Sequence, residues 1–210
     1  SWAVWGDGPH RGNLICSIEL SEVGLERHNQ ALDEKYAQMT AEEQRADLHR
    51  CDDADIVLVA CNTPAQMAKG AVKELRDKGL RVGLLRPITL WPFPIDALRG
   101  VIGQARRLVV VEASEGQLED ELRLALSHAE VHAPPISHVR RQGGILPSQA
   151  EVVEHVLARL APEDVHPEVG GPGRHLLREL QLLVHGFLSK DRGHVAHSLQ
   201  SQQSQSTRIQ

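Results

Sequence analysis

Three apolar runs of strand length, separated by stretches of helical character, constrain what this chain can fold into more than any other feature. Ile56-Val57-Leu58-Val59-Ala60, Arg81-Val82-Gly83-Leu84-Leu85 and Leu108-Val109-Val110-Val111 are close to continuous rather than alternating. A strand with one face in water needs an apolar residue only at every second position. A continuous run asks for cover on both faces, which parallel strands receive from their crossover helices. The segments between the runs supply those helices. One stretch runs from Pro64 to Leu75 with Gly79 at the position of a C-cap glycine, one covers Ile95 to Ala105, and one covers Gln117 to Leu126. A fourth strand, about Ile136 to Arg140, leads through Gly143-Gly144 to a last helix over Ser148 to Leu160. This alternation predicts right-handed βαβ crossovers and a three-layer α/β domain with a mostly parallel sheet over residues 52 to 160. With aromatic residues at only 3% in a chain that is 41% apolar, the core must be built from Val, Leu, Ile and Ala.

The flanks read differently. Residues 1 to 20 are rich in turn formers, as in Gly6-Asp7-Gly8-Pro9, and predict a loop with a short extended piece. From Glu22 to Arg45 the chain is charged, with Leu25, Leu32 and Tyr36 at near-helical spacing. That helix is too polar for a core and is expected to bridge two domains or lie on a neighbouring surface. Beyond Leu160, Pro162, Pro167 and Gly170-Gly171-Pro172-Gly173 predict a linker, and Leu176 to Leu188 a single amphipathic helix. From Ser198 the composition is rich in Ser and Gln and cannot bury enough apolar surface to stay ordered. The expected organisation is an interdomain segment over 1–50, the α/β domain over 51–160, and a linker, helix and tail over 161–210. Ser1 in place of Met predicts that the natural protein continues upstream.

Several functions are excluded by what the chain lacks. A formal net charge of −5 argues against nucleic-acid binding, which asks for a basic face. No apolar run approaches the roughly 20 residues that span a bilayer, and no charged-then-apolar leader opens this stretch. Cys16, Cys51 and Cys61 are odd in number and widely spaced. Without a CxxC pair they encode neither an iron–sulfur cluster nor a zinc knuckle, and they read as small hydrophobes in a reducing cytoplasm. Gly6-Asp7-Gly8 lacks the third glycine of a dinucleotide fingerprint, and no GxxxxGK[ST] phosphate loop is present. His128 and His132 stand at i and i+4, but Glu130 is misplaced for HExxH and the segment ends a helix before Pro134-Pro135. They read as exposed helix-end histidines. His194 and His197, in the tail, rate no higher.

What remains distinctive is Val82 to Pro94, a strand that delivers Arg86 into an apolar loop stiffened by Pro87, Pro92 and Pro94. Trp91 and Phe93 set two large aromatic side chains into that loop, in a chain that has few. Loops at the C-terminal ends of parallel strands are where ligands and partners bind, so this loop is a candidate interface as well as a candidate cap on the domain's own core.

The nine residues Arg86 to Pro94, RPITLWPFP, resemble a signature of the large (alpha) subunits of 2-oxoacid:ferredoxin oxidoreductases. Asn13 to Ser17 followed by Glu22 to Tyr36 is similar to that family's interdomain helix. Ala54 to Ala60, Lys78 to Gly83, Val111-Glu112, Gly116-Gln117-Leu118 and Arg123 also match, and Gly143-Gly144 fits its terminal glycine turn. The likeness covers roughly residues 1 to 160, and its front segments look most like the branched-chain 2-oxoacid and 2-oxoglutarate types. It implies a domain with the fold of the transketolase carboxy-terminal domain. The whole complex would convert a 2-oxoacid and coenzyme A to acyl-coenzyme A and carbon dioxide, passing electrons through iron–sulfur clusters to ferredoxin. The resemblance assigns thiamine diphosphate, magnesium and the clusters to other parts: an N-terminal pyrimidine-binding domain, a thiamine-binding beta subunit and a gamma-type subunit. This chain carries no groups to hold them. One departure stands at Cys61-Asn62-Thr63-Pro64-Ala65-Gln66, where the family usually has Tyr-Gly-Thr and then an Arg; Asn62 can take a left-handed turn in place of Gly.

The resemblance implies an assembly and active-site-framing role with no catalytic, cofactor-binding or metal-binding side chain in this chain. Arg86, Thr89, Trp91 and Phe93 would pack on partner domains and help exclude water from a reacting centre. Glu112, at the end of the third strand, is expected on the same sheet edge within reach of Arg86, or else as an acid favoured by a helix N-terminus. Two other readings stay open: a component of another thiamine-diphosphate enzyme of the 2-oxoacid dehydrogenase or transketolase type, or a non-catalytic α/β binding module.

Overall fold

The apolar runs become the central strands of a five-stranded sheet. The computed structural model describes residues 6–13 and 17–160. The linker, amphipathic helix and tail expected after Leu160, with Cys16, His194 and His197, lie outside the described residues. The chain divides into two compact units, one reaching to Glu43 and one beginning at Gln44.

The first unit holds helix α1 (Glu22–Glu42), which buries none of its residues, as its charged sequence predicts. Ser21 caps it by accepting the Gly24 N–H at 3.1 Å. The helix stops short of the expected Arg45.

The second unit holds β1 (Ala46–His49), β2 (Ile56–Ala60), α2 (Asn62–Asp77), β3 (Val82–Pro87), α3 (Ile95–Ile102), β4 (Arg107–Glu112), α4 (Gln117–His128), β5 (Ile136–Arg140) and α5 (Gln149–Leu157). The sheet order is β1-β3-β2-β4-β5. β2, β3, β4 and β5 pair in parallel, and β1 joins β3 antiparallel at the edge, with Asp47 opposite Arg86. β1 falls inside residues 1–50, and the sequence reading placed no strand there. Its four residues, Ala-Asp-Leu-His, carry no apolar run, because an edge strand needs only backbone pairing on one side.

Side-chain alternation sorts the core into two layers. Ile56, Leu58, Leu84, Val109 and Val111 pack under α2 and α5, with Val72, Leu75, Val152 and Val156. Val57, Val59, Leu85, Leu108 and Val110 pack under α3 and α4, with Leu98, Leu118 and Leu122. The sheet is therefore covered on both faces, and the fold is the expected three-layer, mostly parallel α/β arrangement. α2 begins at Asn62 rather than Pro64, since a proline in the first turn lacks an N–H that would have no helical partner there. Asn62 takes φ +51, the left-handed turn anticipated for it. Gly79, with φ +84, closes the α2 end, and Gly143 and Gly144, at φ +67 and +88, form the turn before α5. Ser148 and Glu151 complete a capping box on α5.

The two ends of the strands differ. At their N-terminal ends, Arg81 donates to Asp55 from Nε and Nη2 at 2.8 Å each, and Arg106 stands 3.8 Å from the same carboxylate. Arg76 donates to the carbonyls of Val82 and Arg50 at 2.7 Å each, and Gln104 donates to those of Cys51 and Asp52. Gly83 lies so close to this brace that an added Cβ would sit 2.7 Å from the Arg50 carbonyl.

Candidate functional site at the C-terminal edge of the sheet

From β2 the chain crosses to β3 on one side, then returns over β2 to β4 on the other. The loops leaving β2 and β4 therefore run in opposite directions, and such a switch point opens a crevice at the strands' C-terminal ends. A cleft of about 240 Å³ lies there. Its walls are the β2–α2 turn from Cys61 to Pro64, the β4–α4 turn from Glu112 to Ser114, Leu118, and Leu146 from the loop after β5.

Glu112 is 3% exposed. Its Oε2 accepts the Ser114 hydroxyl at 2.6 Å and the Leu118 N–H at 3.0 Å, which caps the first turn of α4. Its Oε1 stands 3.6 Å from Nε of Arg140, the last residue of β5. Arg140 also donates from Nη2 to Glu119, whose second oxygen takes two hydrogen bonds from Arg123 at 2.8 and 2.6 Å. Burial works to raise the Glu119 pKa, but the Arg123 and Arg140 hydrogen bonds outweigh it and leave the carboxyl below its ordinary range. Gly116, with φ +121, stands so close that a Cβ there would meet the Arg140 guanidinium at 3.0 Å. In the sequence Gly116 and Arg123 stand out only as matches to the family, and Arg140 and Glu119 carry no mark of a site. A buried acid is not visible in a sequence until its arginine partners are placed.

Arg86 and Glu112 do not pair. They end β3 and β4, which are separated by β2, and pleating sends them to opposite faces: Arg86 follows Leu84 in alternation, and Glu112 follows Val110. Arg86 instead donates to Asp47 of β1 at 3.0 Å. Thr89 is tied to the segment before β1, its hydroxyl oxygen accepting the Arg45 N–H at 3.0 Å and its own N–H reaching the Arg45 carbonyl at 3.2 Å. The two aromatic residues of the loop part company. Phe93 is 7% exposed and belongs to the core under α3, whereas Trp91 is 54% exposed, beside Ile88 and Leu90. The expectation that Phe93 packs on a partner is therefore corrected: its ring is already covered by its own domain.

Cys61, half-buried on the cleft wall, has its thiol pushed up by burial first and then by the nearby Glu112 charge, which makes it a poor nucleophile. Among the described residues, no group of three or more His, Cys, Asp or Glu is placed to hold a metal ion, and no helix is long and apolar enough to cross a membrane.

This is an open, mostly parallel α/β domain with a cleft at its switch point, and relatives give that class a family. Residues 54–152 match the family model of pyruvate:ferredoxin oxidoreductase core domain II. Ketoisovalerate oxidoreductase subunit VorB of Methanothermobacter thermautotrophicus is 40% identical over 156 residues, which is 74% of this chain and 43% of the relative. 2-Oxoglutarate synthase subunit KorA of Methanocaldococcus jannaschii is 42% identical over 78 residues, 37% of this chain and 21% of the relative. Among solved structures, the 2-oxoglutarate:ferredoxin oxidoreductase from Magnetococcus marinus superposes with a TM-score of 0.54 at 21% identity, over 66% of this chain and 23% of that one, a likeness of fold. Residues 54–152 thus carry the sequence of core domain II of this oxidoreductase family. The chain spans 43% of the length of the VorB relative.

Proposed function

We propose that this chain is the core-domain-II portion of the large subunit of a 2-oxoacid:ferredoxin oxidoreductase, and that it assembles and frames the active site without supplying a catalytic side chain. The observation that carries the reading is the 40% identity over 156 residues to a ketoisovalerate oxidoreductase subunit, beside a family match over residues 54–152 that takes in β2 to β5. The reaction is oxidative decarboxylation: the bond to the 2-oxoacid carboxyl breaks to give carbon dioxide, the acyl carbon bonds to the sulfur of coenzyme A, and two electrons leave through iron–sulfur clusters to ferredoxin. Because that same relative acts on ketoisovalerate, a branched-chain 2-oxoacid is the proposed substrate.

The residues present do not fit the metal cofactors. Magnesium and the clusters need carboxylate or thiolate sets that the described residues do not assemble, and Cys61 is half-buried and protonated. The family resemblance is the ground for assigning thiamine diphosphate, magnesium and the clusters to an N-terminal pyrimidine-binding domain, a thiamine-binding beta subunit and a gamma-type subunit. This chain's own part is mechanical. Arg86, fixed by Asp47, and Thr89, fixed by Arg45, hold the loop that presents Ile88, Leu90 and Trp91 outward, while Phe93 anchors it to the core. Glu112 and Arg140 hold the neighbouring turn. A loop so fixed can seal a partner surface against water. Free Cys51 and Cys61 suit a cytoplasmic complex with ferredoxin as electron acceptor.

The test is to assemble the chain with the N-terminal domain and the other subunits, then follow viologen dye reduction with coenzyme A and, in turn, 2-oxoisovalerate, 2-oxoglutarate and pyruvate. The reading expects turnover, fastest with 2-oxoisovalerate. Turnover confined to 2-oxoglutarate or pyruvate would overturn the substrate, and no turnover with any of them would overturn the function.

A further inference from the structure

Large hydrophobic side chains left exposed between Gln44 and Leu160 are not spread evenly. Ile88, Leu90 and Trp91, at 53%, 46% and 54%, sit on the loop leaving β3, and Ile145 and Leu146, at 61% and 45%, sit on the loop leaving β5. The other two are Leu48 on the edge strand and Leu124 on α4. Among the described residues, the loops that enter β2, β3, β4 and β5 expose no large hydrophobic side chain. One end of the sheet is thus apolar and the other is wet, an asymmetry that marks an interaction surface.

Both apolar loops are held in place. The β3 loop is tied to Arg45 and pinned by Phe93. The β5 loop is fixed by the left-handed Gly143 and Gly144, by an ion pair of Arg141 with Glu151, and by the Ser148 capping box. Leu146 forms one wall of the cleft at the β2–β4 switch point, so the β3 loop, the cleft and the β5 loop follow one another along one edge of the sheet. A fixed apolar rim around a pocket is the form of a docking site that takes an anchoring side chain, and it is fixed before its partner arrives.

We infer that Ile88, Leu90, Trp91, Ile145, Leu146 and the cleft between them form one docking surface, and that its occupant is the remainder of the same large subunit. The inference rests on the functional reading above and adds the β5 loop, the cleft and the identity of the occupant. The occupant follows from length. The VorB relative is a single polypeptide of which this chain spans 43%, so in such a subunit the domain has a covalently tethered neighbour. A tethered neighbour meets the surface at high effective concentration, and permanent contacts are the ones that bury apolar surface of this kind.

The experiment grafts this chain's residues onto the matching stretch of the M. thermautotrophicus VorB subunit and compares hydroxyl-radical footprints of the five side chains. Samples are the 210-residue chain alone, the chimeric large subunit alone, and the chimera assembled with its other subunits. Labelling of Trp91, Leu90, Ile145 and Leu146 is expected to fall about fivefold or more in the chimeric large subunit alone, as in an interface core. Protection that appears only after the thiamine-binding subunit is added would overturn the occupant, and labelling unchanged in every sample would overturn the surface. As a second reading, the double variant Ile145→Asp, Leu146→Asp is expected to return labelling of Trp91 and Leu90 in the chimeric large subunit to the level of the 210-residue chain alone, while His132→Asp at the opposite edge leaves their protection unchanged. Viologen reduction by the unaltered chimera reports the functional reading separately. Turnover without protection would sink the docking surface alone, and loss of turnover with protection kept would sink the function alone.

Discussion

At the N-terminal ends of the parallel strands, charged side chains fasten one backbone segment to another. Arg76 and Gln104 reach carbonyls, and Asp55 gathers Arg81 and Arg106. At the C-terminal ends, the backbone is fastened just as firmly, but the fastened loops hold apolar side chains out to solvent around a cleft. The same strands thus end in a closed, self-satisfied edge and in an open one. Both edges are held by polar ties, and they differ in what those ties present: one edge shows only polar groups, and the other keeps an apolar surface that the domain does not cover by itself.

The sharpest way to break this contrast lies within one loop. Phe93→Ala removes a buried ring and is expected to cost about 3–4 kcal/mol in urea unfolding of the isolated chain. Trp91→Ala is expected to change that stability by no more than about 0.5 kcal/mol, because the Trp91 side chain is half exposed. Equal losses would mean that the loop only caps its own core. Next in size, Asp55→Ala strips the closed edge of its central carboxylate. Breaking a buried pair costs about 3–5 kcal/mol, and the one-third exposure of Arg81 discounts the expected loss to about 2 kcal/mol. Turnover per folded complex should be unchanged by it. Gly116→Ala, which forces a side chain into φ +121 and against Arg140, should cost about 1–2 kcal/mol and disturb the open edge.

A further way to sharpen the account is pH dependence. Burial first, then nearby positive charges, pull His155 from 6.5 down to about 4. The unfolded chain therefore takes up this proton before the folded one, and stability present above about 6.5 is lost as pH falls toward 4, with a slope of at most about 1.4 kcal/mol per pH unit. His155→Gln should flatten that limb. Glu151 acts lower down. Hydrogen bonds from Ser148, backbone first, and then from Arg141 hold it at about 2 against 4.5, so its contribution is lost only as pH falls from 4.5 toward 2. A denaturation series from pH 7 to 3 separates the two.

The central strands and their helices were legible because burial on both faces leaves no room for polar residues in the middle of β2, β3 or β4, with Arg86, Arg107 and Glu112 standing only at or beside the strand ends. β1 was not, since an edge strand recruited by backbone pairing writes no pattern into Ala46 to His49. In the β3 loop, the sequence marks Trp91 and Phe93 alike, and only the packing of α3 over the sheet tells the buried ring from the exposed one. The pairing expected of Arg86 with Glu112 failed for a reason of parity: both were rightly placed at the same edge, but the pleat turned them apart. Arg140 and Glu119 lie 21 residues apart and meet only when β5 joins the sheet beside β4.

The most direct test of the account is turnover of the assembled complex carrying Trp91→Ala, set against the unfolding stability of the same chain. If the open edge frames a partner, 2-oxoacid-dependent viologen reduction should fall roughly tenfold, as when an interface anchor is truncated, while the isolated chain unfolds at an unchanged denaturant midpoint. Full activity at unchanged stability would contradict it and leave the exposed loop without a role in the oxidoreductase.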